Sequence, residues 1–221
     1  MNELMENLPL FGEGLGITLY LVFACTVMAY LIGLPLGVIL YVTGPKGIAP
    51  NRPIHQVLGV IVNIFRSIPF MILLVMVLPL TKLIVGTKVG NTAFLVPLVL
   101  AAAPFVARMA ESSLQEVDGG VIEAAQSMGA SPFQIIRKVL LPEAAPALLV
   151  GGIITLTTVL GYTPLATLVG GGGLGAIAVQ YGLYRYNSTI MYAASILLVI
   201  LVQILQESGM RLAKRLDKRT K

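Results

Sequence analysis

Charge is scarce in this chain. Only 11% of its 221 residues are Asp, Glu, Lys or Arg, against 57% hydrophobic ones, whereas a soluble globule carries about 25% charged residues to face water. Together with a mean hydropathy of +0.89, this places the chain in lipid. A single cysteine, Cys25, excludes an intramolecular disulfide and a thiolate-held metal cluster. A single histidine, His55, removes the usual His-based metal and general-base arrangements. No segment combines a nucleophile with a base, so an intramembrane enzyme ranks last among the possible functions.

What is abundant is long apolar runs, and ~20 such residues suffice to cross a hydrocarbon core. The run from Leu15 to Tyr41 contains no charged residue. Glu3, Glu6 and Glu13 precede it where a cleaved signal would carry positive charge, and it is too long for one, so it reads as a span. Further spans are expected at 57–80, 92–110, 148–169 and 188–208, predicting an all-α polytopic membrane protein with five transmembrane helices. An odd number puts the termini on opposite sides. With residues 1–14 outside, Lys46, Arg52, Arg66, Arg108, Arg137, Lys138 and the basic tail at 211–221 all fall inside, leaving only Lys82, Lys88 and Arg185 outside. That asymmetry orients the chain with its N-terminus outside and its C-terminus in the cytoplasm. The tail (Arg211, Lys214, Arg215, Lys218, Arg219, Lys221) suits anionic lipid better than nucleic acid. Arg66 is expected near the inner surface, its stem reaching toward headgroups.

Between the third and fourth spans the loop 118–142 reads DGGVIEAAQSMGASPFQIIRKVLLP. Val121, Ala124, Ala125 and Met128 recur at helical spacing and predict one apolar stripe, with Glu123 and Gln126 off it. Gly129 ends this helix. Ser131 as N-cap, Pro132 at the first position and Gln134 three residues on start another. The result is a compact cytoplasmic knob that a partner groove or the headgroup layer could receive.

Glu123-Ala124-Ala125, Gly129, Val139 and Leu141-Pro142 together resemble the signature loop of bacterial ABC importer permeases, with Val139 standing where isoleucine is usual. The stretch LVGGGGLGAIAVQYGLYRYN and the later VQILQESG are similar to the methionine-uptake (D/L-methionine) subgroup of that family. The resemblance implies a type I ABC importer permease fold over residues 15–210. Glu123, Ala124, Ala125 and Gly129 would then form a coupling helix that docks on a separate ATPase subunit. It further implies a permease homodimer, a substrate-binding protein as partner, and a small-molecule substrate moved by alternating access. ATP and Mg would sit on the ATPase, with no cofactor in this chain, and the sequence contains no Gly-x-x-x-x-Gly-Lys-Ser/Thr phosphate loop. Another small amino acid or related solute is the alternative substrate.

A secondary transporter would instead place ionisable residues in mid-membrane, often with internal repeats, and the sequence displays neither openly. In the fourth span Gly151, Gly152, Gly161 and Pro164 interrupt regular packing and point to the path. The resemblance assigns Tyr162 and Leu165 to a gate around that path, with an ordinary interhelix contact as the other reading. The four glycines at 170–173 serve either a flexible external turn or close approach by the binding protein.

Overall fold

The fold is read from a computed structural model, in which residues 2–216 are described; Lys218, Arg219 and Lys221 of the basic tail lie outside them. The described chain is helical throughout. In order it forms α1 (Asn2–Glu6), α2 (Leu8–Thr43), α3 (Arg52–Ser67), α4 (Phe70–Met76), α5 (Leu78–Val85), α6 (Asn91–Gln115), α7 (Gly119–Ser127), α8 (Pro132–Ile135), α9 (Leu141–Tyr162), α10 (Leu174–Val179) and α11 (Ser188–Leu216). Four stretches are long and apolar enough to cross a membrane: Leu8–Thr43, Asn91–Gln115, Pro132–Val169 and Ser188–Arg215. A fifth arises if α3 and α4 count as one span, and that pair is bent by 102°.

The bend departs from the single straight helix expected at 57–80. Its cause is local. Pro69 disfavours helical geometry at the residue before it, and Ile68 is extended, with φ −80° and ψ 122°. A second interruption at Val77 separates α4 from α5, which opens with Pro79 near its start and ends on Gly86 in the left-handed region. Elsewhere the helices run past the apolar stretches that announced them. α6 continues to Gln115 and α9 is joined through α8 to Pro132, because hydropathy marks where lipid lies and not where backbone hydrogen bonding stops.

The fourth span is also irregular before it enters the bundle. Residues Ile136–Leu140 widen into a π turn directly ahead of Pro142, which has no N–H to donate to the Lys138 carbonyl and crowds it with its ring. At the other end Pro164 tightens Thr163–Val169 into a 3₁₀ helix.

α6 is the axis of the molecule. Some 67% of its most apolar window is buried, against 11% for α11, and its contact with α2 is the most extensive between any two helices. That contact depends on Gly33 and Gly37, one turn apart. A Cβ at Gly33 would sit 2.5 Å from the Ala103 carbonyl oxygen, and one at Gly37 would sit 2.5 Å from that of Ala107 and 2.6 Å from Ala110 Cβ. Small residues on both helices allow the backbones to approach, and in lipid such packing takes over from the hydrophobic effect as the force joining helices.

α3 buries Gly59 and Val62 and is tied to α6 by polar bonds. Arg108 of α6 donates from Nη1 to Glu111 at 2.7 Å, and from Nη2 to the Gly59 carbonyl at 3.1 Å and to Asn63 at 3.0 Å. The opposite side of α3, with Ile54, Val57, Val60, Ile61 and Ile64, is exposed. The charge is tolerated here because both Nη groups meet acceptors, although Nε meets none.

Replacing Gly37 with Val overpacks the α2–α6 contact and costs about 1–3 kcal/mol. The purified protein should melt at a lower temperature, whereas Gly16→Ala, whose Cβ meets nothing within 4 Å, should leave melting unchanged.

Candidate functional site

Two features stand out, one at an end of the bundle and one at its middle. The first is the α7–α8 knob. Asp118 caps α7 by accepting from Gly120 N at 2.7 Å. At the other end Gly129 takes φ +77°, with its N–H on the Gln126 carbonyl at 2.9 Å and that of Ala130 on the Ala125 carbonyl at 3.1 Å. This pair of bonds is the Schellman stop. The capping box is present as expected: Gln134 N donates to Ser131 Oγ at 3.4 Å, and Ser131 N donates to Gln134 Oε1 at 2.8 Å. Gly129 therefore sets the angle between two capped helices.

The stripe read from the sequence does not coincide with the buried face. Ile122 and Ala125 are buried, packing with Leu114, Val117, Ile135, Leu140 and Ala144. Val121, Glu123, Ala124 and Met128 are exposed, and so is Phe133 on α8. Of the residues assigned to docking, Glu123 and Ala124 face outward while Ala125 packs against its own chain, so its small size serves this fold. Periodicity finds both faces of such a helix and cannot say which one the chain covers. Glu123 and Gln126 also border a cleft of about 760 Å³ with Lys46, His55 and Glu111.

The second feature is a cavity of about 150 Å³ at the α3–α4 bend. Its walls come from Arg66 and Phe70 beside the bend, Ala102 and Phe105 of α6, and Thr155, Thr158 and Tyr162 of α9. Phe70 holds these breaks together: its ring stacks on Tyr162 with centroids 4.4 Å apart and meets Phe94 edge-on at 5.9 Å. Tyr162 is thus brought to the cavity. Leu165, its proposed companion, is half-buried against the main apolar cluster and does not line the cavity.

Arg66 reaches this cavity from the last turn of α3, with its side chain exposed.

The glycine turn at 170–173 is held by its own chain. Gly172 N donates to Asn91 Oδ1 at 2.7 Å, Leu174 N to Thr18 Oγ1 at 2.9 Å, and Gly90 N to the Val169 carbonyl at 2.8 Å. Among the described residues no group of three or more His, Cys, Asp or Glu converges as metal ligands would.

Residues 33–221 match the family described as binding-protein-dependent transport system inner membrane component. The chain is 52% identical over 202 residues to the probable D-methionine transport system permease protein MetI of Vibrio cholerae serotype O1, covering 91% of this chain and 90% of that one. It is 51% identical over 156 residues to the D-methionine transport system permease protein MetI of Escherichia coli K12, covering 71% and 72%. In structure it is similar to a chain of the MetNI methionine ABC transporter in inward-facing conformation, with a TM-score of 0.94 at 48% identity over 96% of this chain and 99% of that one. A likeness to an amino acid ABC transporter crystallised with histidines, at 22% identity and a TM-score of 0.73 over 98% and 97% of the two chains, extends to the fold alone.

Forcing a β-branched residue into the left-handed conformation at 129 costs about 1–2 kcal/mol. Gly129→Val should therefore raise the rate of limited proteolysis at the knob roughly five- to thirtyfold, with Gly129→Asn changing it far less.

Proposed function

The chain belongs to the family of binding-protein-dependent transport system inner membrane components, and on that premise we propose that it carries D- or L-methionine across the inner membrane as one half of a permease homodimer. It is a multi-pass transport subunit of an ABC importer and not an enzyme. ATP and its magnesium are bound by a separate ATPase, and a substrate-binding protein delivers the solute on the opposite face.

The knob carries this reading. A capped helix, stopped by a Schellman glycine and seated on the bundle through Ile122 and Ala125, presents Glu123, Ala124 and Met128 to the outside on a rigid base. A partner gripping that surface can move the chain as a body. ATP binding would draw two ATPases together, and the paired permeases would turn their path outward to receive solute, with hydrolysis returning it inward. Tyr162, stacked on Phe70, lies where such a rotation would open or close the path, and Leu165 contributes to the same gate from behind. Lys46, Arg52, Arg137, Lys138, Arg211 and Lys214 lie in loops and helix ends on the knob side, which supports a cytoplasmic C-terminus and contact with anionic lipid there.

Vesicles holding this chain with its ATPase, supplied with ATP and loaded binding protein, should accumulate labelled methionine. Uptake that continues without ATP would refute the importer reading. Docking and folding separate at adjacent positions: Ala124→Trp should abolish co-purification of the ATPase while leaving the melting temperature of the chain unchanged. Ala125→Trp should lower the melting temperature of the chain itself.

A further inference from the structure

An arginine within a bundle of apolar spans demands an explanation, because facing lipid is costly and such residues turn to water-filled space or to a partner. Arg108 meets that demand within the chain, through Glu111, Asn63 and the Gly59 carbonyl. Arg66 does not. Its exposed side chain makes no hydrogen bond or ion pair among the described residues, and it is the one charged residue lining the cavity at the bend.

The remaining walls are chemically selective. Thr155 donates its hydroxyl to the Gly151 carbonyl at 2.8 Å and Thr158 donates to that of Ile154 at 2.7 Å. Each hydroxyl has thereby used its only proton and offers acceptor lone pairs to an incoming donor. Phe65, Phe70, Phe105 and Tyr162 supply aromatic surface. A cation, two acceptor oxygens and four rings thus surround one opening of about 150 Å³, a volume of the order that accepts a benzene-sized group in a protein interior.

We infer that this cavity is a way-station for one amino-acid zwitterion with an apolar side chain, the Arg66 guanidinium holding the carboxylate and the Thr155 and Thr158 oxygens accepting from the ammonium. The inference rests on the importer reading above and deepens it. The guanidinium fork matches a carboxylate in two parallel hydrogen bonds. A thioether side chain gains further from ring contacts, to which sulfur is suited. Because the bend and α9 both border the cavity, a rotation that separates them would dismantle the site and release its occupant.

The test uses the assembled transporter, permease with ATPase, in detergent without binding protein, and measures equilibrium binding of labelled methionine across nucleotide states. Saturable binding is expected in at least one state. Arg66→Ala should weaken it roughly tenfold or more, the scale of losing a charge-assisted pair, with Arg66→Lys recovering part of the loss. Thr158→Val, of nearly the same shape, should weaken binding as well. Co-purification of the ATPase with each variant verifies assembly. Saturable binding left unchanged by Arg66→Ala and Thr158→Val would overturn the site, as would its absence in every state of a wild-type complex that still transports methionine; both leave the importer reading standing. Arg66-dependent binding and uptake of a different apolar amino acid would uphold the site and overturn only methionine as the solute.

Discussion

Backbone hydrogen bonding in a medium without water governs where this chain can bend. Inside a bilayer every N–H and C=O must find a partner within the protein, so an interrupted helix survives only where neighbours or a cavity cover it. Three such interruptions bear on the path and the knob, each at a proline: the extended Ile68 before Pro69, the π turn before Pro142 and the 3₁₀ segment at Pro164. None falls at a neutral place. The first creates the cavity, the second joins the knob to the fourth span, and the third borders the glycine turn. Phe70 and Tyr162, stacked on one another, bridge the first break to the end of α9 beside the third. α6, packed closely on α2 at Gly33 and Gly37, is the fixed element around which the irregular segments are arranged.

Polar groups inside the bundle divide by whether their needs are met. Arg108 ties α3 to α6 and is structural on that account. Arg66, one helix turn beyond Asn63 on α3, has no such partner and faces the cavity. The contrast separates a group that holds two helices in register from one available to a passing ligand.

The spans were legible because lipid imposes length and apolarity on any segment that crosses it, and the capping of the knob was legible because Ser131, Pro132 and Gln134 act through local bonds alone. The bend was not, since Pro69 lies inside an apolar run whose hydropathy does not register a missing hydrogen bond. Nor was the orientation of α7. Val121, Ala124, Ala125 and Met128 read as one apolar stripe by spacing, yet Ile122 and Ala125 are the residues the chain itself covers, through Leu114, Ile135 and Ala144, while Val121, Ala124 and Met128 stay exposed. The Gly33 and Gly37 pair carried a readable signal, small residues four apart in an apolar helix, which points to close helix packing in membranes and would have located the α2–α6 contact.

A division of labour between path and knob requires the knob to move with the bundle and not independently of it. Cys25 is the sole cysteine and is buried, so a thiol introduced by Met128→Cys can be labelled selectively at an exposed position on the knob. Spin labels there in both copies of the assembled transporter report the separation of the two knobs directly. The account predicts a shorter separation when ATP binds and a return on hydrolysis, in step with methionine uptake; an unchanged separation during active transport would contradict it.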